Sequence, residues 1–349
     1  MNNDILIQSV LIGYSIICIK PLLSSLNIKN RFVVYGSSFA FFWGSISIIS
    51  IISIMVEIYL SINIYNPLII FLIIFICCLI FNNFSKNKYT LASEDFFVFI
   101  ITSALTYLSS YFYIPRIRGG DGFWLTQTAF SLANNNLNTG GFAGGGHRAP
   151  LWILLESYSL MASNYLLFNF QILSAFFTLM ILISTLLSKL INRNEKIVLT
   201  LLVSTLITSP AYVALSIYFE IHPFASLLII LLWCFLDANN YKKNNYFLNS
   251  VLLILFCSTL SLARFEGFLF AVPFLYKFFQ TQKKLINLNI YLVLFSINSL
   301  WYFNLINMGI VHKSSSEYIF LIISLIPHVS LLSFYIFEKF LSFKYILYI

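Results

Sequence analysis

The stretch of residues 116–150 holds the densest set of side chains in this sequence whose types could do chemistry. Asp121 supplies a carboxyl group that could act as a general base or a metal ligand. His147 adds an imidazole, and eight of the chain's 13 glycines fall within the same stretch. Guanidinium groups bind phosphate through charge-assisted, often bidentate hydrogen bonds, and the stretch carries three, at Arg116, Arg118 and Arg148. This combination predicts an active-site loop.

Each of these groups also has a structural interpretation. Asp121 precedes a segment of helical character, residues 122–136, and could cap that helix by accepting hydrogen bonds from its first free amides. Arg148 could anchor the chain at a membrane interface. The glycines either form a loop that closes over a substrate or link two helices. The sequence leaves these alternatives open.

Two further connections carry pairs of ionisable residues. Glu220 and His222 precede Pro223 and could bind a metal, hydrogen-bond a sugar or anchor the chain at an interface. Arg264 and Glu266 would point to different sides of a regular helix but could converge in a broken one, and a structural ion pair is the alternative there. Two ligands are too few to assign a metal, so a divalent cation stays open as a cofactor.

The composition places these groups in a membrane protein. Hydrophobic residues make up 60% of the chain and charged residues 9%, with a mean hydropathy of +0.89, whereas soluble proteins average about 25% charged residues. The net charge of +8 would point to nucleic acid in a soluble protein. In a polytopic protein the charges are interpreted loop by loop. Membrane lipids are therefore predicted partners, and nucleic acid is not.

The apolar runs predict an all-α fold, a polytopic transmembrane helical bundle of about eleven spans, since a crossing helix needs roughly 20 apolar residues. The predicted spans are residues 5–26, 33–61, 67–82, 95–115, 165–188, 197–218, 222–237, 247–263, 267–280, 286–306 and 318–337. Residues 116–150 then form an outer-face loop that carries interfacial helices. This loop cannot lie against lipid, because each unpaired backbone group would cost several kcal/mol there.

The basic residues set the predicted orientation. With the N-terminus outside and the C-terminus inside, 15 of the 20 basic residues fall in inner connections, as the positive-inside rule requires. Those left on the outer side are Arg116, Arg118, Arg148, Arg264 and Lys313. Every candidate site residue then falls at or near the outer boundary. We expect them to form one polar site that opens outward, with the basic and polar members binding substrate and phosphate.

Two segments resemble known membrane enzymes. The first combines an outward Asp after a span, an interfacial helix, a re-entry segment at 148–152 and the apolar run 164–190. The second is the Arg-Phe-Glu-Gly segment at 264–267. Together they resemble the GT-C membrane glycosyltransferases, in particular the lipid-phosphate-sugar-dependent branch that includes protein mannosyltransferases and the aminoarabinose transferases of lipid A. The resemblance covers roughly residues 95–280.

The resemblance implies an organisation and a function. Residues 1–94 would be N-terminal transmembrane helices, 95–280 the catalytic core and 281–349 C-terminal transmembrane helices. In the family the first outer loop bears the acidic catalytic residue, so Asp121 takes that role by resemblance. The implied reaction moves a sugar from a polyprenyl-phosphate-linked donor to a cell-surface glycan, lipid or protein acceptor. It would take place on the outer face of the cytoplasmic membrane, in cell-envelope polysaccharide biosynthesis.

Two alternatives remain. A polysaccharide polymerase of the O-antigen or capsule type would lengthen lipid-linked oligosaccharide instead of adding one sugar. A transporter or flippase of lipid-linked glycans would not be an enzyme. Transporters usually carry charges at the membrane midplane and inverted repeats with broken helices. The charges here lie at the predicted outer edge, and the sequence shows no convincing repeat.

Overall fold

The computed structural model describes residues 2–24, 26, 28, 30–83, 92–112, 121–134, 150–162, 166–189, 194–199, 201, 221–237, 246–263, 267, 270–271, 273–275, 293 and 301. All regular secondary structure in these residues is helical, which confirms the all-α class. The predicted C-terminal part, residues 281–349, lies outside the described residues except at positions 293 and 301. The predicted division into three parts stays a prediction.

The helices with described bounds are, in chain order, α1 Asn2–Ile17, α2 Lys20–Ser24, α3 Arg31–Leu60, α4 Pro67–Asn83, α5 Ser93–Phe112, α6 Asp121–Ala133, α7 Pro150–Ala162, α8 Leu166–Lys189, α9 His222–Asp237 and α10 Tyr246–Ala263. The predicted span at 5–26 is thus divided between α1 and α2. The helix predicted after Asp121 is present as α6. Asp237 ends α9, as the sequence predicted.

Local sequence signals set several helix ends. Asn30 caps α3, because its side-chain oxygen accepts a hydrogen bond of 3.0 Å from the backbone nitrogen of Phe32. α3 ends where Ser61 adopts the left-handed conformation (φ 55°, ψ 28°) and donates its N–H to the Glu57 carbonyl at 3.0 Å. Pro67 starts α4, at a position where the missing N–H of proline leaves no helical hydrogen bond unmade.

α3 lies at the centre of the packing. It contacts α1, α4, α7, α8, α9 and α10, and most of its side chains from Val33 to Ile54 are buried. An aromatic cluster joins it to α8 and α9. The ring of Phe39 stacks on Phe170 with centroids 5.5 Å apart, and Phe224 approaches Phe170 at 4.8 Å. Such aromatic pairs add to the stabilisation from apolar burial.

α4 and α5 present apolar side chains outward. On α4 the buried stripe is Ile70, Ile74 and Cys78, spaced four residues apart on one face. The exposed large side chains of the two helices are Leu68, Ile69, Leu72, Phe75, Ile76, Leu79, Ile80, Phe96, Phe97, Ile100, Ile101, Leu105 and Leu108. Water penalises an apolar surface of this extent, whereas lipid does not. These faces therefore indicate a membrane protein, as predicted.

By length and composition, three helical stretches among the described residues could cross a membrane: Ile5–Leu23, Arg31–Leu60 and Phe170–Ser188. Shorter apolar helices are Pro67–Asn83, His222–Phe235 and Leu248–Ala263. Several predicted spans lie largely outside the described residues, namely 197–218, 267–280, 286–306 and 318–337. The total of about eleven spans therefore stays a prediction.

A buried carboxyl holds one end of the bundle together. Asp95, in the first turn of α5, is 1% exposed. It accepts hydrogen bonds from Lys20 Nζ, from the Tyr35 hydroxyl at 2.9 Å and from the Ala92 backbone nitrogen at 2.8 Å. These bonds satisfy both carboxylate oxygens and join α2, α3 and α5.

The same end collects helix termini that the charge pattern assigns to the inner side. Arg31, at the start of α3, pairs with Glu94 at 2.6 Å. Asn82, near the end of α4, donates to the Cys18 carbonyl at 2.8 Å. These contacts bring the end of α1 and the start of α3 beside the end of α4 and the start of α5, as alternating spans require. The assignment of this end to the inner side stays a prediction from charge.

We expect Asp95→Asn to lower stability strongly, because Lys20 would lose its carboxylate partner. Breaking a buried ion pair costs about 3–5 kcal/mol, whereas an exposed pair contributes about 0–1 kcal/mol. The matched control is Glu94→Gln, one residue earlier, whose pair with Arg31 is exposed. Thermal unfolding of the protein in nanodiscs measures both variants. Equal losses of stability would contradict a structural role particular to Asp95.

Candidate functional site

α6 lies within the predicted active-site loop, and α7 begins at the end of that loop. α6 begins at Asp121, directly after Gly119 and Gly120. Its fully buried side chains, Thr128, Ala129 and Leu132, lie on one face of the helix. α6 packs against α7. The position of Asp121 therefore depends on how α6 is held against α7.

α7 is buried along nearly its whole length. Residues 150–159 are all buried, and the helix contacts α3, α4, α8 and α10 in addition to α6. Its 13 residues extend about 20 Å, too short for a hydrocarbon layer of about 30 Å. α7 is therefore a packed internal helix, and Glu156 lies at its centre.

Glu156 is a buried carboxyl with one oxygen paired. Its side chain is 3% exposed, and Oε1 accepts a hydrogen bond of 2.7 Å from Thr126 Oγ1 on α6. Oε2 is also buried and has no hydrogen-bond partner among the described residues. Burial raises the pKa of Glu156 from 4.5 to about 7, although the Thr126 hydrogen bond acts to lower it. The group can therefore hold or release a proton near neutral pH.

A second hydrogen bond connects α7 to the end of α3. The Ser157 and Tyr65 hydroxyls are hydrogen-bonded to each other, and Tyr65 is 2% exposed. The backbone N–H of Tyr65 also lies close to the Glu57 carboxyl group, one turn before the end of α3. The left-handed Ser61 permits this contact, because it ends α3 and redirects the chain. We call the resulting set the α6–α7 polar cluster: Thr126, Glu156, Ser157, Tyr65 and Glu57.

The structure describes two of the residues that the sequence assigned to the site. Asp121 is the first residue of α6, and His222 is the exposed first residue of α9. The others lie outside the described residues: Arg116, Arg118, His147, Arg148, Glu220, Arg264 and Glu266. Their convergence on one outward site stays a prediction. Within the described part of the chain, no group of three or more His, Cys, Asp or Glu side chains could hold a metal ion.

The flanks of Arg264 support the predicted helix break there. α10 ends at Ala263, and Gly267 lies so close to the Leu260 carbonyl that a β-carbon on it would clash. In a continuous helix, residues seven apart are separated by about 10 Å along the axis. Gly267 therefore does not continue the axis of α10, and only glycine tolerates this approach to the backbone.

Glu156 was not among the predicted site residues. A carboxyl inside an apolar segment is costly to bury and by default indicates function, so Glu156 within Pro150–Ala162 was a usable signal. Its partner Thr126 lies 30 residues earlier, which local patterns do not reveal.

No protein-family model, curated protein or solved structure matches this chain. The resemblance to GT-C glycosyltransferases therefore rests on the two sequence segments that carry it. The residues whose chemistry bears on function are above all the two carboxyl residues Asp121 and Glu156.

We expect the contribution of Glu156 to stability to fall as the pH rises from about 4.5 to about 7. In this window the folded protein keeps the Glu156 proton, whereas the unfolded chain has released it. Folding therefore takes up a proton, and stability decreases with pH. The contribution is fully present below the unfolded pKa and is lost above the folded one. Each pH unit inside the window is worth at most about 1.4 kcal/mol.

Glu156→Gln tests this titration, because it removes the proton and keeps an acceptor for Thr126. From about pH 5 to about pH 7.5, the stability of this variant relative to the parent should rise by a few kcal/mol. Unfolding in nanodiscs at both pH values measures the difference. Glu195→Gln, at an exposed position, is the control and should follow the parent. A difference that does not change with pH would show that Glu156 does not titrate in this range.

Proposed function

We propose that this protein is a membrane glycosyltransferase of the GT-C type. It transfers a sugar from a polyprenyl-phosphate-linked donor to a cell-surface glycan, lipid or protein acceptor at the outer face of the cytoplasmic membrane. The observation that carries the proposal is that the short helix α6 both begins at Asp121 and holds the buried Glu156 carboxyl. Asp121 starts α6, and Glu156 is buried against the middle of α6 through Thr126.

The helix surfaces support a lipid-linked substrate. α4 and α5 present continuous apolar faces outward, and a polyprenyl chain can lie against such faces at little cost in free energy. The sugar and the phosphate are polar and need a site away from lipid. The glycine-rich stretch between α5 and α7 supplies polar groups for the sugar and the phosphate.

Asp121 is the proposed general base. The hydroxyl oxygen of the acceptor attacks the anomeric carbon of the sugar from the side opposite the phosphate. The bond between that carbon and the phosphate oxygen breaks, the phosphate leaves on the polyprenyl chain, and Asp121 takes the hydroxyl proton. One displacement of this kind inverts the configuration at the sugar carbon.

The remaining site residues divide by charge. Negative charge builds on the departing phosphate and is stabilised by guanidinium groups, for which the candidates are Arg148, Arg264, Arg116 and Arg118. The sugar hydroxyls need neutral or acidic hydrogen-bonding partners, for which the candidates are His147, Glu220, His222 and Glu266.

Glu156 also favours a second function, proton-coupled transport of a lipid-linked glycan. A buried carboxyl whose pKa lies near 7 can take up and release a proton in the physiological range. Membrane transporters use intramembrane carboxyls as proton relays. A polysaccharide polymerase is the remaining alternative and would use the same acid–base chemistry on a longer, lipid-linked acceptor.

Asp121→Asn should abolish transfer while the protein stays folded, because asparagine cannot accept the hydroxyl proton. We expect a loss of about 100-fold to 10,000-fold in rate. The assay incubates the protein in nanodiscs with a labelled polyprenyl-phosphate sugar and membrane acceptors, and detects products by mass spectrometry. Asp237→Asn, at the last residue of α9, is the matched control and should keep full activity.

The outcomes separate the candidate functions. Retained transfer in Asp121→Asn would overturn Asp121 as the base. Products that grow by many sugar units would favour the polymerase. If no covalent product forms, but a pH gradient drives lipid-linked sugar across vesicle membranes, transport is correct.

A further inference from the structure

The Oε2 atom of Glu156 is buried and has no hydrogen-bond partner among the described residues. The side chain is 3% exposed, Oε1 is satisfied by Thr126, and Oε2 is buried and unpaired among the described residues. An unsatisfied buried polar group costs about 1–3 kcal/mol, and more when it is charged. A helix that served packing alone would gain from an apolar side chain at this position. The free oxygen therefore points to a ligand.

Asp95 is a second buried carboxyl, and its hydrogen-bond partners differ from those of Glu156. Both carboxyls are almost fully buried. Asp95 receives hydrogen bonds from Lys20, Tyr35 and Ala92, so both of its oxygens are used within the fold. Glu156 receives one described bond, from Thr126, and no described cation lies within ion-pair distance of it. Both oxygens of Asp95 are therefore used within the fold, as in a structural carboxyl. Glu156 keeps one oxygen without a described partner, as in a group that binds a ligand.

The chemistry of Oε2 selects the ligand. A carboxyl that titrates near neutral pH is a hydrogen-bond donor when protonated and an acceptor when ionised. A hydroxyl both donates and accepts, so it pairs with Glu156 in either state. An ammonium or guanidinium pairs well only with the carboxylate, and a phosphate oxygen only with the acid. A hydroxylated ligand thus fits this oxygen across the widest range of pH.

We propose that Glu156 Oε2 binds a hydroxyl group of the sugar ligand, and that Thr126 positions the carboxyl for this contact. The inference rests on the proposed function, because the sugar is the hydroxyl-rich part of the substrates in that reaction. Thr126 lies five residues after Asp121 on α6, about 7.5 Å along the helix axis. A sugar hydroxyl bound at Oε2 would therefore lie about one and a half turns of α6 from the start of that helix.

The test uses two probes with the same eight-carbon tail and the full-length protein in nanodiscs. Octyl β-D-glucoside carries hydroxyls and no charge, whereas octyltrimethylammonium carries a positive charge and no hydroxyl. Infrared difference spectroscopy follows the C=O stretch of protonated carboxyls at about pH 6, with each probe below its micelle concentration. The glucoside should shift a carboxyl band, and the ammonium probe should not.

Variants assign the band. Glu156→Gln should remove the shift, and Glu156→Leu, which removes both oxygens, should weaken glucoside binding about tenfold, as expected for the loss of one hydrogen bond to an ionisable group. Thr126→Val should reduce the shift, and Thr126→Ser, which keeps the hydroxyl, should restore it. Glu195→Gln, at an exposed position, should leave the shift unchanged.

Several results would overturn the proposal. A shift with the ammonium probe alone would identify a cation site, and the absence of any shift would show that Glu156 is satisfied within the protein. A glucoside shift that persists in Glu156→Gln would place the sugar elsewhere. The proposed function is tested independently of this contact. A Glu156-dependent shift without sugar transfer would contradict the enzyme. Sugar transfer without the shift would contradict only the contact between Glu156 and the sugar.

Discussion

A helix in lipid has no water to complete its hydrogen bonds, so each buried polar group needs a partner inside the protein. Several small polar side chains on the central helix α3 and its neighbours meet this constraint by bonding to their own helix. Ser47 donates to the Trp43 carbonyl at 3.1 Å, and Thr259 donates to the Leu255 carbonyl at 2.8 Å. Such residues are satisfied before any helix packs on another.

Because these hydroxyls bond within their own helix, neighbouring helices can pack closely against them. Gly44 on α3 faces Thr259 on α10, where a β-carbon would lie 2.6 Å from the threonine Oγ1. A missing side chain on one helix and a locally bonded hydroxyl on the other let the two backbones approach. Membrane helices gain stability mainly from such close contact, since lipid supplies no hydrophobic force between them. The centre of the fold is therefore held by packing, and its polar atoms are neutral.

Among the described residues, buried carboxyl groups lie at two places in the fold, with different hydrogen-bond partners. At one end of the bundle, Asp95 and Lys20 compensate each other, and Tyr35 completes the set. In the α6–α7 polar cluster, Glu156 has a hydroxyl donor from Thr126 and no described cation. The first arrangement resists change, because every group already has its partner. The second leaves one buried carboxyl oxygen without a described partner.

Run length and turn chemistry in the sequence were enough to determine the class of the protein and most of its described helices. The predicted spans 33–61 and 222–237 match α3 and α9 to within two residues, because a membrane helix must be one continuous apolar segment and that property is local. The helix at α6 was predicted from the capping residue type of Asp121 and the helical character of the segment after it. Only the tertiary structure decided that Glu156 belongs to a polar cluster, since its partner Thr126 lies on another helix, 30 residues earlier in the chain. Hydropathy belongs to one stretch of chain, whereas burial and hydrogen bonding belong to pairs of elements that meet only when the chain has folded.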